Sequence, residues 1–212
     1  MTYGSIPADI FVILALNLIF AVSHTLFASR GLKKWFLSAF PAAMPYYRFI
    51  YNLISFLTLG VLYYFAPNPP VVVYRVLPEF KLPILLVQLS AVAGFLWVMW
   101  HIDGSEFLGL RQIVRKLKGK YDLSSLDEES TLMIKGPYKY SRHPIYLFSI
   151  IILIAQPVMN LLYFVSTLCF ILYFYIGSVF EERKLSAQFG QAYNDYKKAT
   201  GRILPKFSTL FK

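Results

Sequence analysis

Residues 135–146 read Lys-Gly-Pro-Tyr-Lys-Tyr-Ser-Arg-His-Pro-Ile-Tyr, which gathers cations, phenols and an imidazole just ahead of an apolar run. Pro144 suits the first turn of a helix, where its missing N–H costs nothing. The N–H groups of that turn, beside Arg142 and His143, would attract a carboxylate or another acceptor. An interfacial helix start with basic anchors and a tyrosine belt would look the same. Glu181 and Glu182 close the last apolar run. Carboxylates are costly in lipid, so this pair belongs at the interface or against a polar cavity. There they are solvated, or paired with Arg183 and Lys184, or accept hydrogen bonds from a cofactor's hydroxyls or ammonium. His143, His101 and Asp103 are the candidate proton acceptors. Arg111 is a candidate cation for lowering the pKa of an acidic substrate group. For His101 and Asp103 the alternative is interfacial solvation.

Other chemistries lack their residues. No Gly-x-Gly-x-x-Gly follows a strand pattern, no Walker loop occurs, and His24, His101 and His143 make no metal motif. Cys169 is the single cysteine, so neither an internal disulfide nor a cysteine metal site can form. No metal is expected.

The elements that must position these groups are membrane helices. Of 212 residues, 57% are hydrophobic and only 15% charged, too few charges to coat a soluble globule. Uncharged runs at residues 10–27, 49–66 and 82–100 are each long enough for a hydrocarbon core of about 30 Å. The first has no basic n-region before it and is expected to be a retained span. The second stops at Pro67-Asn68-Pro69-Pro70. Residues 145–155 would make only about 16 Å of helix. Gln156-Pro157 breaks that run, and residues 158–180 form a full-length one. His24 and Asn17 in the first span, and Asn52 in the second, are expected to be helix–helix hydrogen-bond partners. Phe189, Tyr193 and Tyr196 recur at helical spacing in the tail, as for a face packed over the membrane domain.

The chain therefore reads as an all-α integral membrane protein with about five membrane-embedded helices. The last two form an uneven hairpin, followed by a cytoplasmic C-terminal helical segment. A single domain is expected over residues 1–212, with three spans in 1–101 and a cofactor-binding loop, the hairpin and the tail in 102–212. The net charge of +10 flanks the apolar runs, so lipid and not nucleic acid is the expected partner. Lys and Arg concentrate in the loop after the first span, in residues 101–142 and in the tail. The opposite loops hold only Arg75 and Lys81. That asymmetry predicts the N-terminus outside and the C-terminus in the cytoplasm, in a membrane such as the bacterial inner membrane. Oligomeric state is not read from the sequence.

Gly136-Pro137-Tyr138, Arg142-His143-Pro144-x-Tyr146, Glu181-Glu182, Phe189-Gly190, Tyr193-x-x-Tyr196 and the Arg202…Pro205 ending stand in an order and spacing that resemble the isoprenylcysteine carboxyl methyltransferase superfamily. Within it, residues 106–112 (Glu-Phe-Leu-Gly-Leu-Arg-Gln) are similar to a segment of methanethiol S-methyltransferases. Ser23-His24 and residues 47–52 (Tyr-Arg-Phe-Ile-Tyr-Asn) are similar to these enzymes and to NnrU-type membrane proteins. The resemblance implies S-adenosylmethionine as methyl donor. It also implies cofactor contacts from Ser130, Thr131, Leu132, Met133, Tyr138, His143, Pro144, Ile145, Tyr146 and Glu181. Prenylcysteine enzymes place an arginine four residues before the acidic pair to hold the substrate carboxylate, and here that residue is Gly177. The resemblance so implies a small apolar or thiol substrate such as methanethiol, giving dimethyl sulfide. The alternatives are a prenylcysteine carboxylate, a phospholipid amine, or a non-catalytic NnrU-like role.

Overall fold

A computed structural model of the chain describes residues 4–123 and 131–206. Helices dominate it. Four are long and apolar enough to cross a membrane: Ile6–Ala28, Pro41–Phe65 (counting its 3-10 lead-in), Pro78–His101 and Leu161–Phe189. Large apolar side chains such as Phe11, Leu18, Phe56 and Leu89 point outward along them. Water would not tolerate that much exposed hydrocarbon, whereas lipid does. The chain is thereby an integral membrane protein.

By packing, the chain divides into two compact units. The first takes residues 1–67 and 102–130. In it α1 (Ile6–Ala28) ends at Ser29, whose hydroxyl accepts the Leu32 N–H and so starts α2 (Arg30–Ala39). A 3-10 segment, Pro41–Tyr46, leads into α3 (Tyr47–Phe65). Helices α1 and α3 are joined by His24, which lies 2.9 Å from Ser55 Oγ through Nδ1 and 2.7 Å from the Tyr51 hydroxyl through Nε2. His24 is thus a helix–helix partner, as expected. Asn17 Nδ2 donates to Ile13 O at 2.8 Å, one turn back in its own helix. Short helices α5 (Gly104–Phe107) and α6 (Leu110–Leu117) lie against the start of α3. Asn52 Nδ2 donates to Phe107 O at 3.0 Å. Gly109, at φ +86°, abuts the Phe49 backbone so closely that any Cβ would collide.

The second unit takes residues 68–101 and 131–212. Its third long helix, α4 (Pro78–His101), packs most extensively against the short α7 (Pro144–Ile154). Gly94 makes that approach possible, because a Cβ there would enter the Phe148 ring. Helix α7 stops after only 11 residues, and the last carbonyls of any helix lack partners within it. Side chains cover its end: Gln88 and Gln156 donate to Ile152 O at 3.2 and 3.1 Å, and the Tyr74 hydroxyl to Ile154 O at 3.1 Å.

One expectation changes here. Residues 158–160 are not helical but form strand β2 (Val158–Asn160), antiparallel to β1 (Val72–Arg75) in a small sheet. Val72 faces Asn160 and Arg75 faces Val158, with an irregularity between Val72 and Tyr74. β-Branched residues beside proline breaks favour this pairing over another helical turn. Helix α8 (Leu161–Phe189) then starts at Asn160, whose side chain accepts the Tyr163 N–H at 2.8 Å. It runs two turns past the acidic pair that closes the apolar run, so Glu181 and Glu182 lie within a continuous helix. Gly190, at φ +57°, turns the chain into α9 (Gln191–Ala199).

Candidate functional site

Glu182 anchors the second unit. It is buried on α8 and receives Arg142 Nε at 2.8 Å and Nη2 at 2.7 Å, with Arg202 Nη2 at 3.3 Å. The remaining Arg142 nitrogen donates to Lys197 O at 3.0 Å and to Thr200 O. Neighbouring backbones are laced to match. Arg142 N donates to Gly201 O and His143 N to Arg202 O, a short parallel bridge of Ser141 to Gly201. The buried Ser141 hydroxyl donates to Ile203 O at 2.7 Å. A buried ion pair is tolerated only when its remaining donors are satisfied, and here they are. Arg142 is thus a structural cation, and Glu182 pairs with arginines distant in sequence.

Locking Arg142 fixes the next residues. His143 precedes the first turn of α7 and is buried. The first bond of the helix runs from Leu147 N to His143 O, so the amides of Ile145 and Tyr146 lie ahead of the ladder. The His143 ring stacks on Tyr146, centroids 5.2 Å apart and planes 1° apart, and Tyr146 stacks on Phe174 of α8 at 5.0 Å. Glu181 closes this column. Its Oε2 accepts the Tyr146 hydroxyl at 3.2 Å and lies 3.4 Å from His143 Nδ1. Its side chain is 48% exposed, against 6% for Glu182. His143 Nε2 is buried 3.4 Å from Glu182 Oε1 without completing a hydrogen bond. Gly177 lies one turn before Glu181. A Cβ there would meet only the Tyr146 hydroxyl, at 3.8 Å, so space is left beside that oxygen.

Tyr138 sits in the 3-10 turn Gly136–Lys139, and its carbonyl accepts the Tyr196 hydroxyl at 2.5 Å. Burial, helped by the nearby Glu181 charge, pushes the Tyr138 phenol up to about 12. It therefore keeps its proton at any physiological pH. Tyr193 is buried in the core and likewise raised to about 12, chiefly by burial. The tail tyrosines so pack as the spacing implied, with Tyr196 also holding the Tyr138 turn.

The sequence candidates separate. His143, Tyr146 and Glu181 meet directly, with Pro144 and Ile145 in the same helix start and Tyr138 near the Glu181 charge. Thr131, Leu132 and Met133 lie in an irregular segment before the 3-10 turn, Thr131 exposed and the other two half-buried. Ser130 falls outside the described residues. His101 Nδ1 lies 2.9 Å from Trp97 O, and its ring lies where a Gly136 side chain would be. Gly136 has φ +58°, so the turn and the imidazole fit only with glycine there. In the first unit, Asp103 caps α5, accepting Ser105 Oγ at 2.6 Å and the Ser105 and Glu106 N–H groups. Arg111 Nη1 lies 2.6 Å from its other oxygen. The Ser105 hydroxyl, backbone amides and Arg111 hold the Asp103 carboxyl below the usual range. That suits a cap and disfavours a general base near neutral pH.

Sequence reasoning missed the supports: Ser141, the Arg142–Glu182–Arg202 cluster, and Phe174 under Tyr146. Phe174 had a signal. It lies one helical heptad before Glu181, on the same face.

Comparison with known proteins shows what the chain is similar to. Residues 113–192 match the family described as phospholipid methyltransferase, and this segment holds the whole His143–Tyr146–Glu181 column. The chain is 31% identical over 199 residues to "Methanethiol S-methyltransferase 1" of Bradyrhizobium diazoefficiens, covering 91% of this chain and 65% of that protein. It is 29% identical over 195 residues to the "Methanethiol S-methyltransferase" of Mycobacterium tuberculosis, covering 88% and 74%. With the protein of that name from Pseudomonas deceptionensis the figures are 28% over 203 residues, 95% and 75%. The chain thus spans about two thirds to three quarters of the length of these relatives. No solved structure matches it. Residues 113–192 are thus similar to the phospholipid methyltransferase family, and most of the chain is similar to methanethiol S-methyltransferases.

Proposed function

We propose that the protein transfers a methyl group from S-adenosylmethionine to a small thiol such as methanethiol, giving dimethyl sulfide. The carrying observation is the half-exposed Glu181, held by Tyr146 and His143 beside the unladdered amides of α7. These residues fit the donor's groups. The α7 helix start suits a carboxylate, Glu181 suits ribose hydroxyls or an ammonium, and the Tyr146 and Phe174 faces suit a sulfonium cation. When bound, the donor supplies an electrophilic methyl on sulfur. The chain's own work is orientation and exclusion of water. Arg142 and Glu182 hold the α7 start and α8 together, His143 fixes the Glu181 carboxylate, and neutral Tyr138 closes the polar side. Gly177 leaves room beside Tyr146 and offers no charge for a carboxylate acceptor, which supports a small uncharged thiol. His143 is the one proposed proton acceptor that lies in this cluster. The acceptor's S–H proton would pass to His143, leaving a thiolate to take the methyl group that a bound donor would supply. The proposed setting has α7 and α8 as an uneven hairpin among five embedded helices, N-terminus outside and C-terminus cytoplasmic.

Purified full-length protein given methyl-labelled S-adenosylmethionine and methanethiol should release labelled dimethyl sulfide into the gas phase. Label recovered in a lipid extract would instead support a phospholipid amine acceptor, the reading favoured by the family match. Label in neither fraction would sink the transferase reading.

A further inference from the structure

We infer that α2, α6 and the 3-10 segment between α2 and α3 form a binding site for the phosphate headgroup of an anionic phospholipid. This goes beyond methyl transfer and needs only that the chain sits in a bilayer. Helices α2 and α6 have 10 and 8 residues, too short to span. Each nonetheless exposes apolar side chains beside cations. On α6 the exposed residues Leu110, Val114 and Leu117 recur at i, i+4 and i+7, with Leu117 77% exposed. On and beside α2, Trp35 and Phe40 are exposed and meet edge to face at 6.3 Å. Such helices lie in the headgroup layer, apolar face down and cations toward phosphate.

Both helices pack on the 3-10 segment Pro41–Tyr46. Between it and the end of α6 lies a cleft of about 220 Å³ lined by Pro41, Ala42, Pro45, Lys116, Gly119, Tyr121 and Leu123. Helix α6 is stopped there by Gly119 at φ +65°, with Lys120 N donating back to Arg115 O at 2.8 Å. Prolines and Leu123 give apolar walls, and the exposed Lys116 adds a cationic residue to the same lining. Lys116, Lys118 and Lys120 are all exposed, and among the described residues none has an ion pair. Arg111 and Arg115 on the same helix are already matched by Asp103 and Glu106. Lys116 in the lining of a half-apolar cleft, with Lys118 and Lys120 close by in the chain and all three without an ion pair among the described residues, complements an anionic headgroup with its first acyl carbons and offers a zwitterionic choline lipid no such match.

The full chain in detergent should be titrated with phosphatidylglycerol, phosphatidylcholine or inorganic phosphate, and retained adducts counted by native mass spectrometry. Phosphatidylglycerol should be retained about tenfold more strongly than phosphatidylcholine, and the preference should weaken with salt. Lys116→Gln with Lys118→Gln and Lys120→Gln should abolish the preference while helix content by circular dichroism is unchanged. If only Lys116→Gln is made, part of the preference should go. Equal retention of both lipids, a triple variant that keeps the preference, or displacement of the lipid by millimolar inorganic phosphate would each overturn the assignment.

Discussion

Two sets of carboxylate–guanidinium contacts in this protein use the same chemistry in opposite settings. In the C-terminal unit, Glu182 meets Arg142 and Arg202, with the Arg142 and Glu182 side chains only 8% and 6% exposed. In the N-terminal unit, Glu106 meets Arg115 through two bonds of 2.8 and 2.7 Å, but their side chains are 34% and 39% exposed. The bond lengths are alike, so length does not rank these pairs. Burial does. Water competes for the exposed pair and leaves it little net worth, whereas removal of one buried partner strands a charge. The protein thus has a rigid polar weld under the α7 start and an adjustable polar surface on α5 and α6. Glu181 stands between these cases, one residue from the weld but half open, as its proposed ligand-binding role requires.

The comparison breaks first at Glu182. Glu182→Ala should cost about 3–5 kcal/mol, because Arg142 stays buried without its anion. Thermal unfolding in detergent should show it, and loss of activity should follow the loss of fold. Next comes Glu181→Ala. Its stability should change by less than about 1 kcal/mol, since the side chain is half solvated. S-Adenosylmethionine affinity by calorimetry should nonetheless fall about tenfold or more, for a lost charge-assisted contact. An equal effect of both substitutions on folding would erase the distinction between the two glutamates.

Smaller is Arg115→Gln, for which less than about 1 kcal/mol is expected, shrinking further in high salt. Smallest is Asp103→Asn, read through pH. The folded carboxyl is held below its unfolded value of about 3.9, so its stabilisation is present above that pH. It is lost as pH falls through the lower folded value. The wild type should unfold at slightly higher temperature than the variant at pH 6 and lose that margin on acidification below about pH 4. A margin that persisted in acid would mean that the cap acts through geometry and not charge.

The sequence by itself determined the long apolar spans, the proline start of α7 and its early stop at Gln156-Pro157. Period, length and backbone chemistry are local properties, legible one segment at a time. It also placed His143, Tyr146 and Glu181 in one site, but through resemblance to a family, since residues 35 apart carry no local sign of contact. Tertiary structure alone decided which glutamate is a weld and which is open. Adjacent residues on a helix point about 100° apart, so Glu182 turns inward to Arg142 while Glu181 turns to the Tyr146 hydroxyl. It alone turned Val158–Asn160 into a strand by supplying β1 as partner, and carried α8 past its acidic pair. It paired Arg111 with Asp103, a match the sequence left open for both residues. Hydrophobic pattern selects the helices. The facing of single polar groups is fixed only when those helices pack, because each buried charge must find its partner there.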